Sequence, residues 1–213
     1  MDRQELIDMK EAGAEKVGIA IDLATPELFD KYRGKGVSGP HKWEKYWEII
    51  RAALEIFGPP HVGAHLMVGM GETEEQMVSF MQRLWRMGVM SHLFSFLAEK
   101  GSQLGERPQP PWPTYLRVQL ARYLIEENLS SQEKMGFDEQ GPVVDSGMDQ
   151  DRVMEIVNPG TPFMTTGCLG TDGQVACNRP FGNCLPDDKQ WNYPYPPNEE
   201  ELALIRENIF KID

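Results

Sequence analysis

Val62-Gly63-Ala64-His65-Leu66-Met67-Val68, running straight into Gly69-Met70-Gly71-Glu72-Thr73, decides the fold. A short, mainly apolar run of this kind predicts a strand covered on both faces. Gly69-Met70-Gly71 predicts a tight turn. Thr73 and Gln76 stand at capping-box spacing, opening a helix whose inner face is Met77, Phe80, Met81 and Leu84 and which Gly88 ends. The same unit recurs on either side. Before it, a helix over residues 4–12 leads through Gly13 to the apolar run Val17–Ile21. Thr25-Pro26-Glu27 then supplies an N-cap, a first-position proline and a first-turn acid. A joint at Gly34, Gly36 and Gly39 precedes a helix with Trp43, Tyr46, Trp47, Ile50, Leu54 and Phe57 on one face. After it, Leu93–Leu97 predicts a third strand. A connection rich in proline (Pro108, Pro110, Pro111, Pro113) then leads to a helix from about Tyr115 to Asn128. Strand and helix in strict alternation predict an α/β fold, a parallel sheet with right-handed crossovers.

The chain has 213 residues, with 21 Lys and Arg against 33 Asp and Glu, a formal charge of −12. That balance argues against a nucleic-acid partner or an anionic membrane surface, both of which need a basic footprint. No run approaches eighteen apolar residues, the length a spanning helix requires. Met1–Glu5 has no apolar h-region, and the three cysteines make no even disulfide framework, so the reading is cytoplasmic. Two regions follow: residues 1–130 carry the strand–helix units, and residues 131–213 form an extension. Gly, Pro, Asn, Asp and Thr dominate that extension, and helical periodicity is absent from about Gly141 to Pro197. Its last helix is plain, with Asn198 and Glu201 as a capping box and Leu202, Ile205 and Ile209 as the apolar stripe. Loops this long are uncommon unless functional or disordered, and this one holds Cys168, Cys177 and Cys184.

Three parallel strands cannot by themselves bury both faces and both edges. The sheet therefore reads as part of a larger one, completed by a missing segment or by another chain. Within it, the glycines at 69 and 71 let the backbone approach a ligand closely, and the helix after them favours an anionic group. Read alone, the same residues are an ordinary strand-to-helix turn.

Three segments in order carry a resemblance: Gly18-Ile19-Ala20-Ile21-Asp22 with Ala24–Phe29, then His65–Thr73, then Phe94–Leu104. They resemble the fourth, fifth and sixth strands of the radical S-adenosylmethionine superfamily, in the biotin synthase and lipoyl synthase branch. Thr166-Gly167-Cys168 and Ala176-Cys177-Asn178-Arg179-Pro180-Phe181-Gly182-Asn183 are similar to the cysteine-bearing tail of biotin-synthase-related proteins, some of which act as two-protein lipoyl synthases. The resemblance implies a partial (β/α) barrel of the TIM type, with the extension at its C-terminal end. It implies S-adenosylmethionine and a [4Fe–4S] cluster as cofactors, and sulfur insertion into an unactivated C–H bond of a small-molecule, lipoyl- or biotin-type substrate. Asp22 matches a position that hydrogen-bonds the cofactor ribose. Val68, Gly69, Met70, Gly71 and Glu72 match the segment packed against adenine. Leu97 and Ala98 match a segment whose backbone meets the adenine edge. Cys168 and Cys177 match ligands of an auxiliary cluster; the resembling proteins lack a cysteine at Cys184, which reads either as a third ligand or as a buried small side chain.

The departures carry equal weight. The C-x3-C-x2-C loop that holds the radical-generating cluster is absent, and the first cysteine is Cys168. The chain thus resembles the second half of the barrel, whose partner is the N-terminal half, and alone it is expected to make no radical. Two other readings stay open: a fragment of another α/β barrel enzyme with a phosphate at the Gly69–Thr73 turn, and a non-catalytic partner subunit whose cysteines hold zinc. The eight and six residues between the cysteines are unlike the two-residue knuckle of zinc sites. Asp22 can equally serve the helix opening at Thr25. His65 reads more readily as a satisfied core histidine than as a ligand, and His41 as a loose match to a basic group near the cofactor. Glu99-Lys100 reads either as a substrate contact or as a solvated pair.

Overall fold

The structure, a computed structural model, describes residues 1–169, 175–177 and 191–212. Three strands, β1 (Val17–Asp22), β2 (Val62–Val68) and β3 (Met90–Ser95), form a parallel sheet in sequential order. Sequential order with crossovers of one hand places the connecting helices on one face. The burial pattern agrees. Ile19, Ile21, Val62, Ala64, Leu66, Val68, Ser91, Leu93 and Ser95 are all buried. The other face, with Ala20, His65, Met67, Met90, His92 and Phe94, is only half-buried. The fold is therefore a mixed α/β structure with an open three-stranded sheet, and no closed barrel forms among the described residues.

Local signals set the helices. Asp2 and Glu5 form a capping box for α1 (Arg3–Glu11), and Thr25 caps α2 (Pro26–Tyr32) with proline in the first turn. The helix α3 (Trp43–Phe57) packs on β1 and β2, and its Trp43 and Trp47 meet each other and Phe80 of the next helix edge-on or tilted. The Thr73–Gln76 capping box opens α4 (Glu74–Arg86). The next helix, α5 (Trp112–Glu126), starts three residues earlier than its sequence predicts. Pro113 lies in its first turn, where a missing N–H costs nothing, so the proline run enters the helix instead of preceding it. The third strand stops at Ser95, two residues short of Leu97.

The extension is more ordered than its composition suggests. Two short strands, β4 (Gly136–Phe137) and β5 (Val143–Asp145), pair antiparallel, and α6 (Gln150–Val157) corrects the expectation of no helix between 141 and 197. Two turns with only Val153 and Val157 buried fall below the length at which periodicity is legible. A last antiparallel pair, β6 (Cys168–Leu169) and β7 (Val175–Cys177), precedes α7 (Glu199–Asn208), whose Asn198–Glu201 capping box matches its sequence. The hydrophobic core runs without a break from Leu6 through α5 to Val157, Phe163, Trp191 and Ile209, so the two regions share one interior. No helix among the described residues is long and apolar enough to cross a membrane.

An ion pair fastens the regions together. Arg117 of α5 donates from Nε and Nη2 to both carboxylate oxygens of Glu74, at 2.6–3.1 Å, with side chains 5% and 4% exposed. Glu74 also accepts from the Val143 N–H at 2.8 Å, and Arg117 donates to the Lys211 carbonyl. Replacing Glu74 by Leu strands a buried guanidinium, so E74L is expected to lose about 3–5 kcal/mol of unfolding free energy. The double variant E74L/R117M is expected to recover much of that loss. Denaturant unfolding of the three proteins measures both values; equal stability of single and double variants would show that burial of the unpaired charge is not the cause.

Candidate functional site

Asp22 ends β1 beyond a register irregularity, with φ at 63° in the left-handed region. Its Oδ2 accepts from Arg33, which also donates to the Ala20 carbonyl and, at 2.9 Å, to the Tyr46 hydroxyl. Tyr46 in turn lies 3.1 Å from His41 Nδ1. Burial raises the Asp22 carboxyl above its ordinary range, and Arg33, His65 and His41 pull it back. The side-chain cap of the helix at Thr25 comes from Thr25 itself, and Asp22 is a half-buried carboxylate with Oδ1 uncommitted among the described residues.

The glycine turn is clamped from both sides. Glu72 folds back to accept from the Gly69 N–H at 2.7 Å and the Met70 N–H at 3.0 Å. Arg107 donates to the Gly69 carbonyl at 2.9 Å and to the Tyr32 hydroxyl at 3.0 Å. Gly69 has φ 103° and Gly71 φ 117°, and a Cβ on Gly69 would stand 2.7 Å from the Pro110 ring, so both torsion and space demand glycine. Burial raises the Glu72 carboxyl, opposed by those backbone N–H groups and by Arg107. Beside the turn, at the carboxyl end of β2, lies a cavity of about 460 Å³ walled by the turn, Arg107, Gln109, Thr114 and prolines.

Of the residues singled out from sequence, Val68, Gly69, Gly71 and Glu72 line this cavity and are brought together. Met70 is buried in the core, Leu97 is 39% exposed, and Ala98 is half-buried; these three and Asp22 lie outside the lining. Arg107 and Gln109 were not legible as site residues, because a cation in a proline-rich connection has no local pattern. Gln109 donates to Ser95 Oγ at 3.0 Å, tying that connection to the end of β3. Cys168 and Cys177 are Cα partners in the β6–β7 pair, while Cys184 lies outside the described residues. Among the described residues no group of three or more His, Cys, Asp or Glu side chains is placed to hold a metal.

The half-open sheet face carries a second constellation. His65 and His92 are register partners with ring centroids 5.9 Å apart, and His65 also meets Phe94 at 5.3 Å. Each imidazole lies over a glycine of the preceding strand: a Cβ at Gly18 would sit 2.9 Å from His65 Nε2, and one at Gly63 would clash with His92 Nε2. His92 Nδ1 is 2.9 Å from Thr166 Oγ1. Burial, with His65, Arg122 and Lys16 adding to it, pushes His92 down to about 4.

Family models, curated proteins and solved structures contain no match to the chain.

The depressed His92 value has a definite sign. The unfolded chain takes up the proton near 6.5 while the folded chain refuses it to about 4, so stability contributed by neutral His92 is full above 6.5 and lost as pH falls towards 4. H92Q is expected to flatten the loss of stability over that window, measured as the pH dependence of the unfolding free energy beside the wild type; an unchanged slope would show that His92 is not its source.

Proposed function

We propose that this chain is the C-terminal half of a radical S-adenosylmethionine iron–sulfur enzyme, built as a partial TIM-type (β/α) barrel and inserting sulfur into an unactivated C–H bond. The observation that carries the reading is the cavity at the carboxyl end of β2, walled by the clamped Gly69–Glu72 turn. Ligands of parallel α/β sheets bind outside the carboxyl ends of the strands, and about 460 Å³ falls within the range of small-molecule sites. The resemblance of the three strand segments supplies the chemistry; the half-open face supports a barrel segment whose interior another half would complete.

The residues present fit the nucleoside part of the cofactor. The turn presents a flat glycine backbone and prolines to a planar base, and Asp22, outside that cavity, keeps one carboxylate oxygen for a ribose hydroxyl while Arg33 holds the other. When bound, a reduced [4Fe–4S] cluster supplies the electron that cleaves the sulfonium, and its C-x3-C-x2-C ligands belong to the N-terminal half. The work of this chain is to grip the nucleoside, exclude water and hold the substrate carbon against it. In this reading Cys168 and Cys177 ligate an auxiliary cluster, and their backbone pairing supports a shared site; Cys184, outside the described residues, is the candidate third ligand. The partner is the missing half of the barrel, and the substrate is a lipoyl- or biotin-type small molecule.

A phosphate at the turn is less well supported. The N–H groups of Thr73, Glu75 and Gln76 at the start of α4 are already bonded to Gln76, Gly141 and Thr73, and Glu72 and Glu74 add negative charge beside them. Zinc is disfavoured by the eight and six residues between the cysteines, unlike the two-residue knuckle of zinc sites.

The purified chain, reconstituted with iron and sulfide and reduced with dithionite, is expected to form no 5′-deoxyadenosine from S-adenosylmethionine. Combined with a half bearing the C-x3-C-x2-C loop, it is expected to form it. In that complete enzyme Asp22→Ala is expected to weaken cofactor binding by about 1.5–3 kcal/mol, the range for hydrogen bonds to charged groups. Product from the chain alone would overturn the half-enzyme reading, and unchanged affinity would remove Asp22 from the site.

A further inference from the structure

Asp22 closes β1 in a conformation that L-residues seldom hold. Its φ is 63°, and across it the Leu23 N–H donates to the Ile21 carbonyl at 2.8 Å. A bond between residues two apart around a positive central φ is the rare and strained form of γ-turn. The register between β1 and β2 slips at the same place, between Ile19 and Asp22. Such a backbone persists only where its surroundings over-determine it, and Arg33 does so here. Its Nη1 donates to the Ala20 carbonyl before the turn and to Oδ2 of Asp22 at its centre. Its Nη2 donates to the Tyr46 hydroxyl at 2.9 Å. The guanidinium also lies over the Phe29 and Tyr46 rings, 5.8 and 5.2 Å from their centroids. The fork is thus gripped by α2 and α3 while it grips the end of β1, a task for a planar guanidinium rather than a point charge.

We propose that Arg33 is a positioning residue, which holds the strained turn at the end of β1 so that Asp22 keeps Oδ2 committed and presents Oδ1 to a ligand hydroxyl. The inference rests on the reading of Asp22 as the ribose contact and deepens it, because affinity then depends on a side chain that does not touch the ligand. Arg33 acts on charge as well as on shape. The groups facing the Asp22 carboxyl are Arg33 after α2, His41 before α3 and His65 of β2, and all three favour the carboxylate against burial. Without Arg33, burial holds the proton on Asp22 to higher pH, so binding that needs the carboxylate fails at higher pH than in the wild type.

Two measurements on the full chain test this without any cofactor. In R33M the carboxyl titration of Asp22, followed by carbon-13 NMR, is expected to move to higher pH. Hydrogen exchange at the Leu23 amide is expected to quicken while the amides of β2 keep their protection. In the complete enzyme R33M is expected to weaken S-adenosylmethionine binding about tenfold, the low end for hydrogen bonds to charged groups, and to change nothing in a D22A background. Y46F keeps the charge and removes only the hydroxyl that orients Nη2. Should R33M fail to fold, Y46F carries the exchange and affinity tests, with a smaller loss that again needs Asp22. An unchanged Leu23 exchange rate, an Asp22 titration unmoved in R33M, or equal losses of affinity with and without Asp22 would overturn the proposal. A wild-type complete enzyme that does not bind S-adenosylmethionine would overturn the functional reading instead, and the chain-alone results would still decide the role of Arg33.

Discussion

Burying the Glu74–Arg117 pair is the constraint around which the rest of the molecule is arranged. A guanidinium taken out of water needs its donors filled, and no single element of this chain can fill them. Glu74 from the first turn of α4 meets Nε and Nη2, the Lys211 carbonyl meets Nη1, and Thr114 adds an oxygen within the same helix. Glu74 sits in the first turn, where the helix dipole also favours its charge. The remaining acceptor capacity of Glu74 is taken by the Val143 amide, which brings β5 over the start of α4. One charge pair thus joins the second helix–strand unit, the short hairpin and the C-terminal end of the chain.

Two further buried polar residues of α5 repeat the same device at other points of the extension. Gln119 donates to the Trp191 carbonyl at 3.1 Å and to Asn192 Oδ1 at 2.6 Å, and Arg122 donates to the Pro162 carbonyl at 3.2 Å. Asn192 and the Tyr115 hydroxyl reach the Leu93 carbonyl, and Glu126 accepts from the Ser91 amide. These bonds fall on the outer edge of β3 and occupy the positions where another strand would pair. The two edges of the sheet therefore differ: β3 is closed by side chains of α5 and the extension, whereas among the described residues Arg33 on the Ala20 carbonyl is the side chain that covers β1.

Much of the architecture was legible because it rests on local rules. The three apolar runs and the boxes at Thr73 and Asn198 specify strands and helix starts within a few residues. Reading stopped where a side chain acts over a long sequence separation. Glu72 was legible as part of the Val68–Glu72 segment, but that its carboxylate turns back to its own glycine turn was not; Arg107, 38 positions from the Gly69 carbonyl it holds, had no neighbour to betray it. The helix Gln150–Val157 escaped because its buried side is two valines. At the candidate site the glycine turn was visible as a backbone feature, but the cavity beside it is made by the proline-rich connection folding over, which only tertiary structure reveals.

The glycines beneath His65 and His92 bear on how this sheet can change over generations. Because a methyl group at position 18 or 63 would collide with an imidazole nitrogen, the histidine and the glycine it covers constitute one unit of variation. Gly63 cannot gain a side chain until His92 has shrunk or turned away, and Gly18 is bound in the same manner to His65. A side chain at either glycine therefore displaces the ring that covers it, so positions 18 and 65, and 63 and 92, are coupled along a diagonal of the sheet face. Where one member of a pair changes, the room left to its partner changes with it.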